Sequence, residues 1–291
     1  MSLRGKKVDL HVHSTASDGT CTPSGILDMA SGLGLAAVAL TDHDTVSGLP
    51  EFLGHAARIG TVAAVPGVEL SVEARSNTIH ILGLFIDSTL PSLCTMLAEV
   101  RSNRDKRNMN IIAKLQGMGY GITLAEVEKI AQGESVGRPH FARILVEKGY
   151  FPTPQDVFDK CLKRDGPGYC DRVLPTPELA IGEIHKAGGL AFWAHPVHSR
   201  ASRSGTDVRR IVRELIDYGL DGIEAYYSTF SHDQQVMLQD VAKEYGLLET
   251  GGSDFHGDNM KDIMLGSGYG GLFVPSMVYE RLKEYHEGQN G

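Results

Sequence analysis

The chain has 291 residues, 42% of them hydrophobic and 22% charged, with a formal net charge of −8. These values suit a soluble globular chain of one large or two smaller domains, and the acidic balance argues against a broad, non-specific nucleic-acid surface. No apolar run approaches the ~20 residues needed to span a bilayer. Residues 1–7 have no apolar h-region, and Cys21, Cys94, Cys161 and Cys170 show no C-x-x-C pairing. Free thiols in a reducing cytoplasm, with no membrane association and no protein partner, are therefore expected.

In chain order, short apolar, β-branched-rich runs predict strands at 8–13, 36–44, 62–72, 78–86, 190–196, 222–227 and 247–256. Helices are predicted between several of them. Thr22-Pro23-Ser24 opens 25–33, and 49–59 and 176–186 are each followed closely by glycine. Alternation at this spacing predicts parallel β/α units. From about 93 to 158 the rhythm stops: 99–117, 124–131 and 141–148 predict helices, with no strand between them. The reading is an α/β barrel of residues 1–95 and 165–291 carrying a small helical insertion at 96–164. The alternative is a lengthened barrel loop.

In Asp9-Leu10-His11-Val12-His13 strand alternation predicts Asp9, His11 and His13 on one face and Val8, Leu10 and Val12 on the other. Two imidazoles on one strand face can grip a metal from the same side. Further candidate ligands follow at predicted strand ends: Asp18 in the next turn, His43 within Thr41-Asp42-His43-Asp44, Glu69, His80, His195, and Asp254 with His256. In a (β/α) barrel those ends converge on one face. Ligands of this type without cysteine suit Mn²⁺, Fe²⁺ or Zn²⁺, and nine of them exceed the needs of one ion. Adjacent metals lower the pKa of a bridging water and clamp phosphoryl oxygens, which fits phosphate-ester hydrolysis. Attack by a metal-bridging hydroxide is expected, with no protein base assigned. Asp9, Asp42 and Asp44 are expected to orient ligand imidazoles, with Glu224 doing the same or touching substrate.

At Asp9-Leu10-His11-Val12-His13-Ser14 with Asp18-Gly19, Thr41-Asp42-His43-Asp44, Gly67-Val68-Glu69, His80, Ala194-His195-Pro196 and Ser253-Asp254-Phe255-His256, the chain resembles the polymerase-and-histidinol-phosphatase (PHP) family. The resemblance implies a distorted, TIM-like (β/α)₇ barrel and a trinuclear metal centre, with manganese as the expected ion. It implies that His11, His13, Glu69 and Asp254 hold one metal, that Glu69, His80 and His195 hold a second, and that Asp18, His43 and His256 hold a third. Within the family the chain looks like the subgroup acting on nucleotide 3′,5′-bisphosphates and, from the 5′ end, on short RNA. Arg138-Pro139-His140-Phe141-Ala142-Arg143 is similar to that subgroup's R-x-H-F-A-R segment. It implies a phosphate-binding role for Arg138, with His140 and Arg143 beside it, since a guanidinium fork suits phosphate. The alternative for both arginines is a solvated helix start.

His198 is a further substrate candidate, as a proton donor to the leaving oxygen or as a solvent-facing residue. The chain departs from the subgroup at Asp165-Gly166-Pro167-Gly168-Tyr169, where a lysine is usual, and at Val197-His198-Ser199. The expected activity is hydrolysis of a phosphomonoester on a small nucleotide, extending to short 5′-phosphorylated oligonucleotides. The alternatives are a phosphatase for another small ester such as histidinol phosphate, a metal-dependent amide hydrolase, or a metal-binding module without turnover.

Overall fold

A computed structural model describes residues 5–74, 77–131, 136–197 and 204–290. The chain divides into two compact units, one formed by residues 1–97 and 175–291 and the other by 98–174. The elements of the first unit are α1 (Pro23–Gly32), β1 (Ala37–Leu40), α2 (Leu49–Ile59), β2 (Ala63–Ala74) and β3 (Asn77–Leu84). Helix α3 (Pro91–Gly117) leads into the second unit, which adds α4 (Leu124–Ala131), α5 (Arg138–Glu147) and α6 (Pro154–Val157). The first unit resumes with α7 (Pro177–Lys186), β4 (Leu190–Trp193), α8 (Gly205–Asp217), β5 (Gly222–Tyr227), α9 (His232–Tyr245), β6 (Leu248–Gly252) and α10 (Ser276–Asn290).

Local chemistry sets many of these boundaries. Thr22, Thr176, Ser204 and Ser231 each cap the helix that follows, their side-chain oxygens accepting a backbone N–H of the first turn. Proline occupies the first turn of α1 and α7, where no amide partner is lost. Helix α2 stops at Gly60, whose φ of 62° lies in the left-handed region.

The six strands form one sheet in the order β1-β2-β3-β4-β5-β6. Strands β1–β2, β4–β5 and β5–β6 pair in parallel, but β3 runs antiparallel to both β2 and β4. The expectation of uniformly parallel β/α units is thus corrected. Only two residues separate Ala74 from Asn77, too few for the crossover a parallel pair requires.

The predicted strand at 8–13 is not a regular ladder. It makes isolated bridges, Asp9 to Val38 and Val12 to Phe255, both parallel. Its amides and carbonyls nevertheless bond on both sides. Asp9 N donates to Ala37 O and Thr41 N to Val12 O on the β1 side, while Leu10 N donates to Gly251 O and Asp254 N to His11 O on the β6 side. Alternation also breaks here. Val8 and Leu10 pack with Leu82, Phe192 and the α10 residues Val278 and Leu282, whereas Val12 packs on the opposite sheet face with Val38, Leu40 and Trp193. That second face is covered by apolar residues of α1, α2, α7, α8 and α9. Two-sided burial explains why the strands read as near-continuous apolar runs.

The unit of 98–174 is helical in every regular element among its described residues. It has a core of its own, with Ile111, Leu115, Val127, Phe141, Leu145 and Leu162 at its centre.

Candidate metal centre

The site grows from places where the backbone leaves its strand. Strand β4 ends at Trp193 and β6 at Gly252, yet the ligands come later. His195 has φ 32° and Asp254 has φ 58°; Asp44 beside His43 has φ 53°. Asp254 and His256 thus lie beyond β6, where the left-handed backbone at Asp254 turns the chain. Non-glycine residues in this region cost roughly 1–3 kcal/mol each and persist only when their surroundings hold them. They are held here: His195 N donates to Glu224 Oε2 at 2.7 Å, Asp254 N to His11 O at 2.9 Å, and Asp44 N to Glu69 O at 2.9 Å. Gly19 lets the turn carrying Asp18 fold back, since a Cβ there would collide with the His13 carbonyl.

These turns converge on Glu69, which is fully buried. Its Oε2 faces His43 Nδ1 at 3.0 Å, His13 Nε2 at 3.3 Å and His11 Nε2 at 3.4 Å. Its Oε1 faces His80 Nδ1 and His195 Nε2, each at 2.9 Å, and those two nitrogens are 3.3 Å apart. Asp254 Oδ1 lies 3.1 Å from His13 Nε2 and 3.4 Å from His11 Nε2. Asp18 Oδ1 is 3.4 Å from His256 Nε2 and 3.5 Å from His13 Nδ1, and its Oδ2 is 3.8 Å from His43 Nε2.

All nine predicted ligands thus come together. Three groups of their donor atoms could hold a metal ion: His13, Asp18, His43 and His256; His11, His13, Glu69 and Asp254; and His43, Glu69 and His80. The donor chemistry fits a cation. Glu69 Oε2, His13 Nδ1 and His43 Nδ1 are buried without a hydrogen bond, although nitrogens and oxygens crowd them. Donors about 2.1 Å from a shared tetrahedral ion would stand roughly 3.4 Å apart, which is the spacing seen.

Second partners fix which nitrogen faces inward. His11 Nδ1 bonds Glu224 Oε1 at 3.0 Å, and His256 Nδ1 bonds the Asp254 carbonyl at 2.8 Å, leaving each Nε2 toward the cluster. Asp44 acts electrostatically on His80 and accepts from Ser71 N and Oγ. For Asp9 and Asp42 the expectation is corrected. Asp9 accepts from Ser253 N and Oγ and from Gly266 N, and Asp42 from Ser14 N and Oγ and from Ser17 Oγ. They hold the ligand-bearing loops by their backbone and serines and bond no imidazole ring among the described residues.

Sequence reasoning missed Tyr227. Its hydroxyl donates to Asp254 Oδ2 at 2.6 Å, fully inside the protein. A bulge between Glu224 and Tyr226 re-aims the end of β5, so strand alternation gave no signal.

The protonation pattern follows from burial and mutual charge. Burial alone would lower His11 and His13, but Glu224, Glu69 and Asp254 outweigh it at His11, and Asp254, Glu69 and Asp18 do so at His13, which is raised to about 10. Burial would likewise raise Asp18, Glu69 and Asp254, yet the surrounding imidazoles hold all three carboxylates well below their usual range. The pocket therefore favours protons where a cation could sit, and a bound metal would displace them.

A family model described as "PHP domain" matches residues 9–148. The chain is 36% identical over 249 residues to the 5′-3′ exoribonuclease Rnm of Escherichia coli (strain K12), covering 85% of this chain and 84% of that protein. The chain belongs to the PHP family. This PHP chain is also 36% identical over 259 residues to the 3′,5′-nucleoside bisphosphate phosphatase of Chromobacterium violaceum, covering 88% of this chain and 90% of that one. A solved structure of an amidohydrolase from Chromobacterium violaceum, with bound sulfate and no metal, superposes with a TM-score of 0.77 at 33% identity, covering 96% of each chain.

Of the expected substrate residues, Arg138, His140 and Arg143 belong to the unit of 98–174. Arg138 begins α5, its Nη1 donating to Leu162 O at 3.2 Å and its guanidinium stacked 5.2 Å from the Tyr169 ring centre. His140 caps the same helix, Nδ1 accepting from Gly137 N at 3.0 Å. Arg143, inside α5, is exposed and its Nε donates to Glu147 Oε1 at 2.9 Å. His198 lies outside the described residues.

Proposed function

We propose that the chain is a metal-dependent phosphoesterase that hydrolyses a phosphomonoester on a small nucleotide, a 3′,5′-bisphosphonucleotide first and short 5′-phosphorylated oligonucleotides second. The observation that carries this reading is the convergence of three donor groups on and around Glu69. Named relatives that act on nucleoside bisphosphates and on RNA support the nucleotide class.

His11, His13, Glu69 and Asp254 would hold one ion, Glu69, His80 and His195 a second, and Asp18, His43 and His256 a third. Manganese is the expected metal. Bound there, the metals would supply an activated water nucleophile and neutralise charge building on the phosphoryl oxygens. The chain's own groups prepare the site. Glu224 orients His11 and pins the His195 backbone, Tyr227 fixes Asp254, and Asp9 and Asp42 brace the loops. Arg138 would take a phosphate group of the substrate.

In this reading the first unit is a distorted (β/α)₇ barrel, with 8–13 as its seventh, irregular stave between β1 and β6, and the helical unit is an insertion. The cytoplasm is the expected compartment. Manganese-loaded protein should release inorganic phosphate from adenosine 3′,5′-bisphosphate. No release, from protein with full metal occupancy, would overturn the substrate assignment.

A further inference from the structure

Two of the metal-ligand candidates, Asp18 and His256, stand outside regular strands and helices. Asp18 lies in the turn before α1, and His256 lies beyond β6. Glu69 and His80, by contrast, sit within the paired strands β2 and β3. Asp18 Oδ1 and His256 Nε2 nevertheless meet at 3.4 Å. A ligand pair drawn from two loops keeps such a spacing only when the loops are tied to each other.

Among the described residues three hydrogen bonds make that tie: Thr20 N donates to His256 O at 3.1 Å, Asp258 N to Thr20 Oγ1 at 2.8 Å, and Asn259 Nδ2 to Asp18 O at 2.8 Å. The first and the last end on the backbone carbonyl of a ligand residue itself. In the second and third a side chain supplies half of the bond, the hydroxyl of Thr20 or the amide of Asn259. A carbonyl only accepts, so Asn259 presents its nitrogen to Asp18.

The two loops cross closely. Gly257, with φ 66°, has the Thr20 hydroxyl where a Cβ would stand, so the crossing requires glycine there. Packing does not replace the bonds on every side. Thr20, Cys21, Gly257 and Asp258 form part of the wall of a cavity of about 620 Å³, which leaves the crossing without close-packed neighbours on that side.

We propose that Thr20 and Asn259 are positioning residues for one cation, the ion that Asp18, His43 and His256 would hold. They act through Asp18 and His256, by fixing the distance between the two ligands. The role rests on the proposed assignment of that ion; the hydrogen bonds stand without it. The strands that carry Glu69 and His80 take no part in the crossing. Loss of the tie should therefore weaken one ion and spare those gathered on Glu69.

The test counts manganese in the full chain. Native protein, Thr20→Val, Thr20→Ser and Asn259→Ala are saturated with manganese, and ion content and affinity are read by elemental analysis and calorimetry. Thr20→Val keeps the side-chain shape and loses the hydroxyl, whereas Thr20→Ser keeps the hydroxyl. In Thr20→Val and in Asn259→Ala one ion per chain should bind about tenfold or more weakly, with the other ions unchanged. Thr20→Ser should bind as the native protein does. Both positions are exposed, so the melting temperatures of the metal-free variants should stay close to that of the native chain. Equal affinity for every ion in native protein, Thr20→Val and Asn259→Ala overturns the proposal. An equal loss at all ions overturns it too, because it marks a general loosening of the site. Should one variant not fold, the other decides.

The two readings fail separately. Three ions held equally well by native protein and by both variants remove the positioning role and leave the metal assignment. Fewer than three ions in native protein, one of them dependent on Thr20 and Asn259, remove the three-ion assignment and leave the positioning role.

Discussion

At the scale of single residues, the centre is a set of lone pairs that have been arranged before any cation arrives. Tyr227→Phe removes the hydroxyl that donates to Asp254 Oδ2 and leaves that buried carboxylate oxygen short of a donor among the described residues. Manganese affinity, measured by calorimetry, should fall about 10–100-fold, as for other partners that orient a ligand. Unchanged affinity would mean that Asp254 needs no such support. The protonated pocket also makes metal binding depend on pH. His11, His13 and His80 are raised, and His13 titrates near 10, so each ion that enters must release protons. Apparent manganese affinity should rise from about pH 6 to pH 9, with proton uptake by the buffer seen in its heat of ionisation. The sign for the metal-free fold is opposite at His13. Its contribution is complete below about 6.5 and fades as pH rises through about 10. The convergence of the nine metal-ligand candidates was legible because His and Asp at strand ends are a dense and unusual pattern. Tyr227 and the serines that serve Asp9 and Asp42 were not, since an ordinary residue gains its role only from a bulge or a loop contact.

Among elements, the start of α1 was legible because Thr22 and Pro23 write it within four residues, whereas the capped starts of α8 at Ser204 and α9 at Ser231 went unread. Thr176→Ala should lower stability by about 1 kcal/mol, read in denaturant melts, without touching the metal centre. The antiparallel hairpin of β2 and β3 was hidden because strand runs carry no direction; only the two-residue gap at 75–76 bears on it. Segment 8–13 was legible as extended chain but not as an interrupted one. Its single-residue bridges place Leu10 and Val12 on different sheet faces, which a strict period of two does not allow. The same irregularity lets His11 and His13 both reach Glu69 and Asp254.

For the whole molecule, two units, each with a core of its own, separate the metal-ligand candidates from Arg138, His140 and Arg143. All nine metal-ligand candidates belong to the unit of 1–97 and 175–291, and Arg138, His140 and Arg143 to 98–174. An acidic chain with net charge −8 would then meet an anionic substrate through positive charge concentrated at the metal centre. The central claim is that Glu69 is shared between metals. The most direct measurement is the manganese content of native protein and of Glu69→Gln after saturation and desalting, read by elemental analysis. Native protein should retain about three ions per chain, and the variant no more than the one that Asp18, His43 and His256 would hold without Glu69. One ion in the native protein, or the same content in both, would contradict a shared carboxylate at the heart of the site.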